Sequence, residues 1–71
     1  MEKEDFKVWR KSLGWTQEQA AKALGLSRGA IEQYETGYQK GNRDKLVKIP
    51  LTVAYSCAAI NAGIRPLGSD L

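Results

Sequence analysis

The chain has no histidine, one cysteine (Cys57), one methionine and two prolines among its 71 residues. A single thiol cannot form an intramolecular disulfide, and it offers no CxxC spacing for metal or redox chemistry. Without histidine, a structural zinc site is close to excluded, because such sites draw on four Cys or His ligands. The same lack removes the commonest general base. No activated nucleophile, glycine-rich phosphate loop or paired-carboxylate pattern takes its place. An enzyme is therefore the weakest reading, and no cofactor, metal or small-molecule ligand is expected. Long apolar runs are missing too. The longest uncharged stretch, residues 49–64, contains Pro50, Thr52, Ser56 and Asn61. It falls short of the ~20 apolar residues that a membrane span needs, and it reads as a buried helix. Residues 1–5 are charged, and no apolar segment of the secretory-signal kind follows them. A reducing, cytoplasmic setting away from membranes is the expectation.

What is present is compact and mildly basic. A chain of this length has room for one domain and buries only about 60% of its unfolded surface, so local helical contacts or a partner subunit must help it fold. The expected domain is residues 1–66, with residues 67–71 as a loose tail. The net charge is +3. Residues 36–48 carry Lys40, Arg43, Lys45 and Lys48 against Asp44 alone, so the whole excess sits in one segment. That segment is either a solvated loop or a stripe that contacts phosphates.

Helical punctuation is strong in the first half. Phe6, Trp9, Arg10 and Leu13 share one face of a first helix over about 4–12, and Gly14 suits its stop. Thr16 followed by Gln19 has the capping-box spacing, with Trp15 and Ala20 at the staple positions. Ala20, Ala21 and Leu24 form the inner face of this second helix, which Gly25 ends. Ser27 caps a third helix, with Leu26 and Ile31 as its staple and Ile31 and Tyr34 facing inward. Gly37 stops it. The link at 25–27 is only about three residues, which suits a helix-turn-helix; an ordinary αα-hairpin is the bland alternative. Residues 38–49 show no helical period and read as an extended, basic, partly mobile segment. Pro50 suits the first turn of a fourth helix. Its inner strip is Val53, Cys57, Ile60 and Ile64. Gly63 and Pro66 end it.

The segment from 6 to 37 resembles the Cro/cI-type repressor family (the XRE family), typified by the 434 and lambda repressors. The likeness rests on Leu13, Gly14, Trp15, Thr16, Gln17, Ala21, Leu24, Gly25, Ser27, Ile31, Glu35, Thr36 and Gly37, without a gap. It implies an all-α, compact lambda-repressor-like domain of four or five helices. It also implies roles. Gln17 would bond a phosphate at a helix N-terminus, where free amides and the dipole favour an anion, and Thr16, Ser27 and Thr36 would also touch backbone. Arg28, Gly29 and Gln33 would face base edges, Arg28 toward guanine and Gln33 toward adenine. Lys40 and Arg43 match positions that contact phosphates or reach over the minor groove. Arg10 and Glu35 match a pair tying the first helix to the end of the third. The departure comes after Gly37, where the family usually continues with two short helices.

Each role has a plainer counterpart. Arg28 and Glu32 are spaced i, i+4 and can simply pair on a solvated face. Glu32 can instead accept from cytosine N4 or reject wrong partners. Gly29 costs ~1 kcal/mol relative to Ala inside a helix, which a close approach to DNA would explain, as would drift.

The leading functional expectation is a repressor that binds double-stranded DNA at an inverted-repeat operator as a homodimer. With no sensor domain in view, its own concentration would provide control, as in autoregulation. Phage, mobile-element, toxin–antitoxin or anti-CRISPR operons all fit. The second apolar strip of the fourth helix, Leu51, Ala54, Tyr55 and Ala58, with Ile64 and Leu67, is the expected dimer surface. An antitoxin-type or protein-interaction module with this fold, and an RNA-binding regulator, are the alternatives. Against the former stand Arg28, Gln33, Lys40 and Arg43, which a degenerate reader has no reason to keep.

Overall fold

A computed structural model describes residues 1–68. Four helices are placed among them: α1 (Lys3–Ser12), α2 (Gln17–Leu24), α3 (Arg28–Thr36) and α4 (Leu51–Asn61). Between α3 and α4 stands a two-stranded antiparallel hairpin, β1 (Tyr38–Gln39) and β2 (Asn42–Leu46). The segment expected to be extended is thus paired with itself, and it occupies the place where the family resemblance put further helices. The reason is local. Lys40-Gly41 forms a two-residue turn, with Gly41 at φ 82°, which reverses the chain and sets Gln39 opposite Asn42.

The corner between α2 and α3 is built by capping. Thr16 accepts from the Gln19 amide at 3.1 Å, and the Gln19 side chain accepts from the Thr16 amide at 2.8 Å. Gly25 takes φ 71°. There the Leu26 amide reaches the Ala21 carbonyl at 2.9 Å and the Gly25 amide reaches that of Lys22 at 3.3 Å, the Schellman pattern that satisfies the last carbonyls of a helix. Ser27 then accepts from the Ala30 amide at 3.2 Å and opens α3. An L-residue at 25 would strain this reversal, because its Cβ meets the following carbonyl.

The core is Phe6, Trp9, Ala20, Ala21, Ile31, Val53 and Cys57, with Trp15, Leu24, Leu26, Tyr34, Ile49 and Ile60 packed around it. Ala20 and Ala21 are small where α2 passes the other helices, and Ile31 is fully buried beneath α3. Phe6 meets Tyr34 edge-on at 5.7 Å between ring centres, and Trp9 meets Trp15 likewise at 5.8 Å. Such tilted pairs align ring edges with ring faces, which their quadrupoles favour. The Trp9 indole N–H donates to Asn61 Oδ1 at 3.0 Å and fastens α1 to the end of α4.

Three expectations need correction. Leu13 lies at the α1 terminus and is exposed rather than part of the inner face. Pro50 precedes α4 as its N-cap rather than opening its first turn. Ile64 leaves the buried strip, because α4 ends at Asn61 and the Ile64 amide turns back to the Ala59 carbonyl at 2.9 Å. Of the expected tail, Leu67 and Gly68 form an exposed turn, and residues 69–71 lie outside the described residues. No helix among the described residues is long and apolar enough to cross a membrane.

Candidate nucleic-acid interface

Seating Ile31 and Tyr34 inward turns the opposite side of α3 to solvent. Arg28, Gly29, Glu32, Gln33 and Thr36 lie there, fully or partly exposed. Arg28 Nε sits 3.5 Å from Glu32 Oε1, with the side chains 65% and 33% exposed. That contact is long and solvated, and pairs of this kind contribute at most about 0.5 kcal/mol. Gly29 has no packing reason to be glycine. A Cβ built there would meet only Ser27 Oγ, at 3.9 Å, and its backbone is ordinary helix.

The polar groups at the helix starts differ in what they can still give. Ser27 and Thr16 use their hydroxyl oxygens as acceptors for backbone amides, so each keeps its proton to donate to a phosphate. Thr36 instead donates its hydroxyl, toward the Gln33 carbonyl at 3.4 Å and the Tyr38 carbonyl at 3.2 Å. A phosphate bond from Thr36 would have to replace that one. The first amides of α2 and α3 have no intrahelical acceptor, as in any helix, and they favour anions there.

Behind this face lies a polar joint. Arg10 Nε and Nη2 grip both oxygens of Glu35, the latter at 2.9 Å, while Nη1 donates to the Trp15 carbonyl at 2.9 Å. The Gln17 side-chain Nε2 donates to Glu35 Oε1 at 3.4 Å. Burial alone would push the Glu35 carboxyl up, but hydrogen bonds from Arg10 and Gln17, with the charges of Arg10 and Lys7, hold it below its ordinary value. The hydrogen bond from Arg10 to Glu35 raises the guanidinium in turn, over the opposing effect of burial. Gln17 is thereby fixed at the start of α2 with its second N–H left over for a ligand. Elsewhere, burial pushes the Cys57 thiol up to about 11, so it is an inert core group.

Lys40 and Arg43 lie on the hairpin that continues from α3, and both are exposed. The Arg43 guanidinium stands over the Tyr38 ring, 5.7 Å from its centre. Tyr38 was not among the expected site residues. Its signal was the pairing of an aromatic and an arginine across Lys40-Gly41, visible only once that dipeptide is read as a turn. The hairpin and the outer side of α3 enclose a cleft of about 440 Å³ lined by Glu32, Gln33, Thr36, Tyr38, Lys40, Gly41 and Arg43. The expected dimer residues lie elsewhere. Leu51, Tyr55, Ala58, Ile64 and Leu67 are exposed and Ala54 half-buried, on the side of α4 and its following turn away from Val53 and Cys57. Among the described residues, no group of three or more Cys, Asp or Glu is placed to hold a metal.

Neither curated proteins nor solved structures include a match to the chain. A helix-turn-helix family model matches residues 6–51, well over half of the sequence, from Phe6 at the centre of the core through the α2–α3 corner and the hairpin to the first residue of α4. The chain belongs to this helix-turn-helix family, of the Cro/cI type, and is a sequence-specific DNA-binding regulator.

Proposed function

We propose that the protein is a transcriptional repressor that binds an inverted-repeat operator as a homodimer and regulates its own synthesis. The observation that carries this reading is the open outer face of α3, where Arg28 and Gln33 stand beside a glycine that the fold does not require. In this reading α3 enters the major groove. Arg28 reads guanine O6 and N7, Gln33 reads adenine N6 and N7, and Glu32 meets cytosine N4 or repels other bases. Gly29 lets the helix backbone come close. Thr16, Gln17, Ser27 and, by exchanging its internal bond, Thr36 fix the register on phosphates, with Lys40 and Arg43 beyond them. Protein bound at the operator excludes RNA polymerase by occupancy, and protein concentration sets that occupancy.

One such unit reads few base pairs, so affinity calls for a second copy. Leu51 and Tyr55 are each 69% exposed and stand one turn apart on α4, with Ala58 a turn further and Ile64 and Leu67 nearby. Large apolar side chains left exposed along one side of a helix on a small domain suit an interaction site. A two-fold dimer through it places two α3 helices on one side of the duplex, about 34 Å or a multiple of it apart. Residues 1–66 serve as the folding unit, and 67–71 as a tail that contributes Leu67 to the contact.

Selection of duplexes from a random pool tests binding, symmetry and spacing together. The expected product is a palindrome with half-sites one or two helical turns apart. Enrichment of no sequence defeats the reading. Enrichment of a single half-site, with a monomer in sedimentation at micromolar concentration with and without DNA, defeats the dimer.

A further inference from the structure

Six of the seven glycines have φ between 70° and 86°, where a Cβ would strain the backbone. Gly29 is the exception. It lies in the first turn of α3 with ordinary helical backbone, a place where alanine would favour the helix. Packing does not demand glycine either. A Cβ built there would meet only Ser27 Oγ, at 3.9 Å, and that oxygen already accepts from the Ala30 amide. What the residue creates is an indentation one methyl group deep on the exposed side of α3.

Its surroundings are set by helix geometry. At about 100° per residue, Arg28 and Glu32 fall on one flank of Gly29 and Gln33 on the other, with Thr36 two turns along nearly the same line. The indentation is therefore near the middle of the exposed face, between side chains that carry charge and amide groups. Its floor is the Gly29 Cα, which has no side-chain donor or acceptor to offer.

That floor discriminates among base edges. The N7, O6, N6, N4 and O4 groups of the major groove are all polar. Pressed against an apolar floor, any of them loses water without gaining a partner. The apolar group in this groove is the C5-methyl of thymine, which 5-methylcytosine also carries. It needs no hydrogen bond, and it has the size of the methyl that alanine would place there. Consecutive Cα atoms are about 3.8 Å apart and stacked nucleotides about 3.4 Å, so the base pair that faces Gly29 adjoins the one that faces Arg28.

Resting on the reading of α3 above, we propose that Gly29 is a specificity residue whose missing side chain receives the C5-methyl of a 5-methylpyrimidine next to the guanine read by Arg28. Selectivity at that pair then comes from shape rather than from hydrogen bonds, and methylation of a cytosine there strengthens binding.

The test uses the full chain and a duplex enriched from the random pool. The pair at which Arg28→Ala relaxes preference marks the guanine, and the adjoining pyrimidine is expected to be thymine. Replacing that thymine by deoxyuridine removes the methyl and keeps every polar atom. Wild-type protein should bind about fourfold more weakly, the value of one buried methylene. With cytosine at the same position, 5-methylcytosine should exceed cytosine by a similar factor, which separates the methyl from the rest of the thymine edge. Gly29→Ala fills the indentation, so it should lose the preference for thymine over deoxyuridine, with circular dichroism unchanged. Wild-type indifference to the thymine methyl, equal binding of the two cytosines, or a methyl preference surviving in Gly29→Ala overturns the inference. If any of these occurs while Arg28→Ala still relaxes preference at its own pair, the α3 reading stands and the role of Gly29 alone is refuted; if no duplex is enriched, both fall.

Discussion

Two arginine–glutamate pairs involve α3, one against α1 and one along its outer face. Arg10 and Glu35 are 12% and 6% exposed, meet through both guanidinium branches, and draw in Gln17 and the Trp15 carbonyl. Arg28 and Glu32 are 65% and 33% exposed and meet once, at 3.5 Å. The chemistry is the same and the surroundings are not. A sheltered, fully satisfied pair fixes two helices and the residue that starts a third, and it cannot be broken without stranding a charge. An exposed pair adds little to folding, so a base edge can displace it at small cost. The contrast divides α3 into a side that sets where the helix stands and a side free to interact.

The sharpest way to break this contrast is to remove Glu35. Glu35→Ala leaves the sheltered Arg10 guanidinium without its carboxylate partner, and about 3 kcal/mol of stability should be lost. For a domain this small that is a large share of the total. Urea unfolding followed by fluorescence of Trp9 and Trp15 reads it directly; a loss under about 0.5 kcal/mol, the range of ordinary surface changes, would put both pairs in one class. Acid gives a milder version. The Glu35 carboxyl is held below its ordinary value of 4.5, so the folded state binds its proton less readily than the unfolded one. Its contribution is present in full above that value and is lost as pH falls through the folded-state pKa. Wild-type stability should therefore converge on that of Glu35→Gln as the solution is acidified below 4.5, and a constant gap would remove Glu35 from the acid response.

On the outer face the expected signs change. Arg28→Ala should leave unfolding within about 0.5 kcal/mol of wild type. It should weaken DNA binding by about 1–3 kcal/mol and relax preference at one base position. An equal loss on every sequence would make Arg28 a phosphate ligand. Gly29→Ala should do something that no substitution at the sheltered pair can do: stabilise the fold, by up to about 1 kcal/mol, because nothing in the protein occupies the space. The added methyl should weaken DNA binding at the same time. Stabilisation with binding unchanged would mean that the helix never approaches DNA closely at this residue.

Much of this was legible in the sequence because it is local. Thr16 with Gln19, Ser27, and the glycines at 25 and 37 announce caps that form within four residues of themselves, and the structure contains each one. Ile31 and Ala21 follow from helical period and are buried as period requires. The hairpin was less legible because period 2 needs two strands in register, and here three residues bulge between the paired positions. Reading 38–49 as merely extended hid the Tyr38–Arg43 contact. Ile64 continued the apolar spacing of α4 in sequence, but the spacing is blind to a chain reversal closed by a backbone bond to Ala59. The Trp9–Asn61 bond joins residues 52 positions apart, and no local pattern encodes it.

The smallest expected effect is also the most direct measure of the contrast. A double-mutant cycle on Arg28 and Glu32, both changed to Ala singly and together, should return a coupling of about 0.3–0.5 kcal/mol in unfolding free energy, the value of an exposed i, i+4 pair. Raising the salt from about 0.1 M to about 1 M should weaken it, since the screening length falls from about 10 Å to about 3 Å, shorter than the 3.5 Å separation. Repeated with DNA bound, the coupling should change, because Arg28 exchanges Glu32 for a base edge and the carboxylate faces the groove alone. A coupling above about 1 kcal/mol in the free protein would mean that Glu32 holds Arg28 as firmly as Glu35 holds Arg10. The outer face of α3 would then be braced like its inner side, and Arg28 would have to give up a strong partner before it could read DNA.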